Sequence, residues 1–358
     1  MTRRFALVFA AGLLAMTATA SAADADAGSA SPATLSCPAG ALPSGAADNS
    51  FTLAGWPDRD YDLVLPATYR CGAPAAVAIV FHGGGGNKEG MRKIACPDGD
   101  LASAGCLHRV ALIAGFAVVF ANGSNTPGSR RINPRGVRTW NAGGGEGGAI
   151  CVSGHACKAG IADVAYVRAL VADLGTHMTI DARRVFATGF SNGAALAQRL
   201  ACEAADVFAA IAPVAGENQF ALAGCAPAQA VAVLDIHGTL DKCWPYRGGM
   251  GGCVQSGRYV SVDVTLADWA RRNGCAATAT SSTLPARPGV SDGSSVVRHL
   301  WSGCAAGGAL EHLEVVGNGH YWPSGHEYAR NSLLGGAMSR QLDTARAIVD
   351  FFAANGRP

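Results

Sequence analysis

Charge is scarce in this sequence: Asp, Glu, Lys and Arg make up 15% of 358 residues, with 28 Lys+Arg against 26 Asp+Glu. Arg3 and Arg4 account for the surplus and sit at the extreme N-terminus. The remainder is near neutral and offers no electrostatic footprint for nucleic acid or an anionic membrane. Also missing are any CxxC pair and any GK[ST] triplet. The first absence removes the usual spacing of a structural zinc site, leaving Cys151, His155 and Cys157 as the one local cluster with ligand chemistry, and no metal is expected. The second removes the phosphate-cradle reading of a glycine-rich loop. Beyond residue 22 no apolar run approaches the about 20 residues of a bilayer-crossing helix, so no membrane partner is expected.

What is present begins with an export pattern. Arg3-Arg4 precede an apolar run from Phe5 to Met16, and Ala20-Ser21-Ala22 follows as a small-residue cleavage site. Residues 1–22 are expected to be a signal peptide, with the mature chain starting near Ala23 and residing outside the cell or in a periplasm. Twelve cysteines, an even number in an exported chain, are expected to form disulfides. Pairing sequence neighbours gives Cys37 with Cys71, Cys96 with Cys106, Cys151 with Cys157, Cys202 with Cys225, Cys243 with Cys253 and Cys275 with Cys304.

Residues 23–50 are rich in Ala, Gly, Ser and Asp and carry little apolar weight, the composition of a loosely held arm. From Phe51 to the C-terminus, short β-rich runs alternate with helical patterns, which implies one domain built on a mostly parallel sheet with helices on both faces. Expected strands are Tyr61 to Leu65, Val77 to Phe81, Phe116 to Ala121, Arg184 to Thr188, Ala209 to Val214, Val231 to Ile236, Val296 to Trp301 and His312 to Val316. Expected helices are Ile161 to Leu174, Asn192 to Glu203, Val262 to Arg272 and Met338 to Ala353. The glycine-dense segment from Asn122 to Gly160, with Arg130, Arg131, Arg135 and Arg138, is expected to be a long surface excursion.

Gly189-Phe190-Ser191-Asn192-Gly193 fits the pattern G-x-S-x-G, which has little weight alone in a chain with 47 glycines. Its context adds the weight. A β-branched and aromatic run ends at Gly189 and an amphipathic helix pattern starts after Ser191, the strand, sharp turn and helix that expose a nucleophilic hydroxyl. A serine needs a base to take its proton, and in this arrangement the partners follow in the order serine, acid, histidine. Asp241 lies in the turn leaving Val231 to Ile236, whereas Asp235 lies inside that strand, so Asp241 is the expected acid. His320 follows the strand ending at Val316 and is the expected base; His326, past Pro323, is expected to be a surface histidine. His237 precedes the acid and is expected to position the turn through a hydrogen bond. For the oxyanion of an acyl-transfer intermediate, His82-Gly83-Gly84-Gly85-Gly86-Asn87 follows a strand end, so backbone amides of Gly84, or less directly Gly83, and of Asn192 are the expected donors.

At these residues the chain resembles the secreted poly(3-hydroxybutyrate) depolymerase-like esterases, a family that includes feruloyl and acetylxylan esterases. The resemblance runs from about Tyr61 onward and includes His82 to Asn87, Trp140-Asn141, Asp163, Gly189 to Gly193, Ala212 to Gly216, His237 to Tyr246, Asn273-Gly274-Cys275 and Gly319 to Pro323. It implies an α/β-hydrolase fold, a serine esterase using Ser191, Asp241 and His320, and no cofactor. Lys242-Cys243-Trp244 and the cysteine-bearing insertion Arg247 to Gly257 depart from the family and make the substrate the least transferable feature. Trp140, Trp244, Tyr246 and Trp322 are candidates for a wall against an apolar acyl group. The expected partner is an ester of a hydroxycinnamate, acetate or hydroxyalkanoate, handled by a monomer. The rival readings are a depolymerase of solid polyester and a non-catalytic binding protein on the same fold. Because the chain stops about 38 residues after His320, leaving no room for a polymer-binding module, soluble or chain-end esters are expected to be preferred to solid polymer.

Overall fold

The computed structural model describes residues 37–43, 45, 49–129, 136–143, 154–219, 225–251, 253, 257–329 and 335–358. The expected signal peptide, most of the arm, Arg130, Arg131, Arg135 and Cys151 lie outside the described residues. In chain order the elements are β1 Asn49–Thr52, β2 Asp60–Val64, β3 Ala75–Phe81, α1 Lys88–Ile94, α2 Leu107–Ile113, β4 Ala117–Ala121, β5 Ser124–Asn125, β6 Arg138–Thr139, α3 His155–Lys158, α4 Asp163–His177, β7 Ile180–Phe190, α5 Asn192–Glu203, β8 Ala210–Val214, β9 Ala232–Gly238, β10 Gly249–Gly251, β11 Gly257–Tyr259, α6 Val262–Arg272, β12 Thr280–Thr283, β13 Ser295–Trp301, β14 Leu310–Val316 and α7 Thr344–Ala354.

Ten strands form one sheet in the order β1-β2-β4-β3-β7-β8-β9-β14-β13-β12. The six from β4 to β14 are parallel to their neighbours, and antiparallel strands flank them on both edges. The central strands are apolar on both faces because each face is covered. Along β3, Val77, Ile79 and Phe81 join a core containing α4 residues Val167, Leu170 and Leu174 and α5 residues Leu196 and Leu200. Ala78 and Val80 point the other way, toward Met91 of α1, Val110 of α2 and Ile348 and Phe352 of α7. The two-residue alternation of a strand therefore feeds two separate cores. This is the α/β-hydrolase fold, with crossover helices returning each chain segment to the same end of the sheet.

Several expectations needed correction. The first strand begins at Asn49, two residues inside the segment read as an arm, and pairs with β2. Helices α1 and α2, seven residues each, have too few turns to show a clear apolar stripe in sequence. The last helix starts at Thr344 rather than Met338, because Asp343 supplies the side-chain cap to Arg346 N. The described part of the segment from Asn122 to Gly160 is a surface excursion only in part: Pro127, Gly128 and Lys158 to Gly160 are exposed, whereas Asn122, Arg138, Thr139 and Trp140 are buried. Disulfides join Cys37–Cys71, Cys96–Cys106, Cys202–Cys225, Cys243–Cys253 and Cys275–Cys304, and Cys157 is also disulfide-bonded.

Candidate active site

The end of β7 delivers Ser191 into a turn that the backbone tolerates only under constraint. Its φ is 56° and its ψ −118°, a left-handed conformation that L-residues avoid. Three tertiary features hold it there. Ser191 N donates to Val214 O at 2.9 Å, tying the turn to the end of β8. A side chain on Gly189 would lie 2.7 Å from the backbone of Gly193, and one on Gly193 would lie 2.6 Å from His82 O. These positions accept only glycine, and that closeness brings the 82–87 loop against the serine.

The acid and the histidine reach the serine because β9 and β14 are parallel neighbours in register, Asp235 opposite His312 and Gly238 opposite Val315. Past the strand ends the two loops remain joined: Thr239 N donates to Val315 O at 3.1 Å and Leu240 N to Asn318 O at 3.0 Å. His320 Nδ1 then stands 2.7 Å from Asp241 Oδ2, and His320 Nε2 stands 2.9 Å from Ser191 Oγ. The other carboxylate oxygen accepts Cys243 N and Trp244 N, each at 2.8 Å. Burial works to raise the Asp241 carboxyl, but His320 and His237 outweigh it and hold it down at about 2. The structure thus brings Ser191, His320 and Asp241 into one hydrogen-bonded chain. Asp235 is fully buried with His312 at 2.8 Å, and His326 packs on Gly99.

The glycine loop lies alongside this chain. Gly83 faces Ser191, where an added Cβ would meet Ser191 Cβ at 3.3 Å, and Gly84 faces Asn192 at 3.5 Å. Gly85 N donates to Arg138 O at 2.8 Å and Gly86 N to Gly83 O at 3.0 Å, which shapes the loop from within. His82 braces it from below: Nδ1 lies 2.8 Å from Gly83 O and Nε2 accepts from Gly123 N at 2.9 Å. Because a carbonyl accepts and an amide donates, the ring must be the neutral Nδ1–H tautomer. Burial, helped by Arg138 and Arg59, pushes it down to about 3.

The cleft over Ser191 has a volume of about 350 Å³, with Met91, Ile94, Phe190, Trp244, Tyr259 and Tyr328 among its lining. Of the four aromatic residues read as a wall, Trp244 alone is in it. Trp140 is fully buried beneath the site, its Nε1 donating to His82 O at 2.9 Å and its ring edge-on to Phe81. Trp322 is buried in the core of the opposite sheet face. Tyr246 points away, its hydroxyl 2.9 Å from His312 Nε2. Proximity in sequence to a site residue does not decide which side of the backbone a ring leaves from. The residues that sequence reading missed are Tyr259, packed on Trp244 with ring centroids 4.7 Å apart, and Tyr328, whose hydroxyl donates to His320 O at 2.8 Å. Neither carries a local signal, since Tyr259 sits on a three-residue strand and Tyr328 in a loop.

No protein-family model matches the chain. A protein of Nocardia uniformis subsp. tsuyamanensis described as an esterase is 29% identical over 294 residues, 78% of this chain and 76% of that one. Feruloyl esterase B of Piromyces equi is 28% identical over 172 residues, 47% of this chain and 28% of that enzyme, so the chain spans under a third of its length. Feruloyl esterase C of Emericella nidulans is 32% identical over 167 residues, 45% of this chain and 53% of that enzyme. Among solved structures, an acetyl xylan esterase from Aspergillus awamori superposes with a TM-score of 0.48 at 14% identity, covering 74% of this chain and 89% of that one. By these relatives the chain is a carboxylic ester hydrolase akin to the feruloyl esterases.

Proposed function

We propose that the chain is a secreted serine esterase that hydrolyses uncharged carboxylic esters through an acyl-enzyme formed on Ser191. The observation that carries this reading is the relay from Asp241 through His320 to Ser191, at 2.7 and 2.9 Å. His320 Nε2 takes the Ser191 proton as Oγ bonds to the ester carbonyl carbon. The resulting oxyanion is held by the amide of Asn192 at the start of α5 and by Gly84, each donor worth roughly 3 kcal/mol in the transition state. His320 passes its proton to the departing alkoxide, releasing an alcohol and leaving Ser191 acylated. Water then gives a proton to His320 as its oxygen attacks the acyl carbon, and the acid departs as Ser191 recovers its proton.

The lining of the cleft bears on the substrate. Phe190, Trp244, Tyr259, Met91 and Ile94 present aromatic and aliphatic surface, suited to a neutral acyl group such as a hydroxycinnamoyl, acetyl or short hydroxyalkanoyl unit. Feruloyl esters come first because relatives are feruloyl esterases. Secretion is supported by the N-terminal export pattern and the bridged cysteines. The reading is tested by incubating the protein with a p-nitrophenyl phosphonate and mapping the adduct by mass spectrometry. An adduct on Ser191 with stoichiometric loss of methyl ferulate hydrolysis is the expected result. Full hydrolysis by Ser191→Ala would end the assignment.

A further inference from the structure

Against Asp241 Oδ2, the oxygen that His320 Nδ1 also contacts, lies a second histidine and carboxylate pair. His237 Nδ1 is 2.7 Å from Glu217 Oε1, while His237 Nε2 is 2.8 Å from Trp244 O and 3.3 Å from Asp241 Oδ2. Each ring nitrogen therefore faces groups that accept, a carboxylate on one side and a carbonyl with a carboxylate on the other. With Glu217 ionised, an imidazole satisfies both only when both nitrogens carry protons; burial and the neighbouring Asp235 push the Glu217 carboxyl up, and His237 draws it back down. Glu217 and His237 are 1% exposed each, and Glu217 Oε2 has no hydrogen-bond partner among the described residues. A buried ion pair often adds no stability that an apolar pair of equal volume would lack. Its place against the carboxylate that His320 uses therefore points to the site.

We propose that Glu217 and His237 are positioning residues for hydrolysis: Glu217 holds His237 as an imidazolium, which pins the Asp241 carboxylate and tempers the charge it presents to His320. The inference rests on the reading of Ser191, His320 and Asp241 as the hydrolytic set. Both histidines converge on one oxygen, Asp241 Oδ2. A second cation on that oxygen draws part of its negative potential away from His320. His320 acts as a base only when neutral, so the positive charge beside Asp241 bears on the proton that His320 takes from Ser191. The groups facing His237 are Glu217 from the loop after β8, Asp241 from the turn after β9, Asp235 on β9 itself, His312 on β14, Tyr246, and His320 across Asp241. Asp235 and His312 stand 2.8 Å apart as a pair of their own, leaving Glu217 as the acid dedicated to His237.

The test compares Glu217→Gln, His237→Gln and the double variant on a soluble ester across pH, with melting temperature and circular dichroism recorded for each. Removing the cation, directly or by removing the anion that sustains it, should raise the acid limb of the kcat/KM profile by roughly half a unit or more. The value of kcat should fall roughly tenfold or more while KM stays within about twofold, and the double variant should lose no more than the worse single one. A folded variant with wild-type kcat and an unmoved limb would overturn the inference. So would a loss of kcat with an unmoved limb, the mark of a merely structural role. If the variants do not fold, nitrogen-15 NMR of the histidine rings in the intact protein decides: His237 is expected to be doubly protonated at about pH 8, where free histidine is neutral, and a neutral ring there overturns the proposal. Ser191→Ala run in parallel separates the two levels. Its retained activity would remove the site assignment itself, whereas an inactive Ser191→Ala beside unaltered Glu217→Gln and His237→Gln would remove only the positioning role.

Discussion

Asn192 and Trp140 exchange two hydrogen bonds: Trp140 N donates to Asn192 Oδ1 at 2.7 Å, and Asn192 Nδ2 donates to Trp140 O at 2.9 Å. The residue after the strained serine is thereby fixed to a segment far away in sequence, and its amide is held at the start of α5. Asn192→Ala frees both Trp140 backbone groups in a buried site. The expected outcome is a loss of kcat of roughly tenfold to a hundredfold with KM little changed. Steady-state kinetics on methyl ferulate measure it, and an unaltered kcat would show that the clamp does not orient the oxyanion donor.

The relay itself predicts an order of severity. Ser191→Ala and His320→Ala should each lower kcat by roughly a thousandfold or more without unfolding the chain. Asp241→Asn should be severe as well, because an amide cannot serve both His320 Nδ1 and the backbone donors Cys243 N and Trp244 N as the carboxylate does. Asp235→Asn should be milder in turnover. Were Asp235→Asn the more damaging, the acid would have to be reassigned.

Of the two tryptophans near the site, Trp244 lines the cleft and Trp140 does not. Trp244 is also buried in the same core as Trp140, so Trp244→Ala should raise KM for aromatic esters and cost stability as well. Trp140 fills the core beneath the site, so Trp140→Ala should cost about 3–5 kcal/mol of stability. Chemical denaturation and kinetics on the same preparations distinguish them. Trp140→Ala should leave KM little changed, and an equal rise of KM in the two variants would remove Trp244 as a substrate contact.

Cys243 and Cys253 are bridged and both face the cleft, and Cys243 N is one of the donors to Asp241 Oδ1. Replacing both by Ser should lower turnover and melting temperature more than the same replacement at Cys37 and Cys71, which are bridged and do not line the cleft. The reason is local: the short loop after the acid gains freedom, and with it the donors that aim Asp241. Equal effects at the two bridges would leave no special role for the one in the cleft.

His82 predicts acid sensitivity. The folded state holds it at about 3, far below its value in the unfolded chain of about 6.5, so the folded state resists the proton that the unfolded state accepts. The stability associated with the neutral ring is complete above pH about 6.5. It declines as pH falls toward about 3, by up to roughly 1.4 kcal/mol per pH unit. Protonation of Nε2 would also oppose Gly123 N–H and loosen the glycine loop. Melting temperatures between pH 7 and 4 for wild type and His82→Gln should show a shallower decline in the variant, and parallel curves would remove this residue from the acid response.

The sequence by itself determined the local parts. Val185 to Thr188 running into Gly189 specifies a strand and a sharp turn, and Asn192 to Glu203 and Val262 to Arg272 are helices with the bounds their periodicity implies. That Ser191, Asp241 and His320 lie at strand ends was legible because each follows a strand whose apolar run is visible. Only the tertiary structure decided which side chains meet. The register of β9 against β14 sets Asp241 beside His320, and the turn after β8 carries Glu217 under His237, an arrangement no spacing along the chain encodes. Trp140 and Trp322 read as wall residues for the same reason that they are not: periodicity tells which residues share a face of one element, whereas burial depends on what the neighbouring strand and helix place opposite that face.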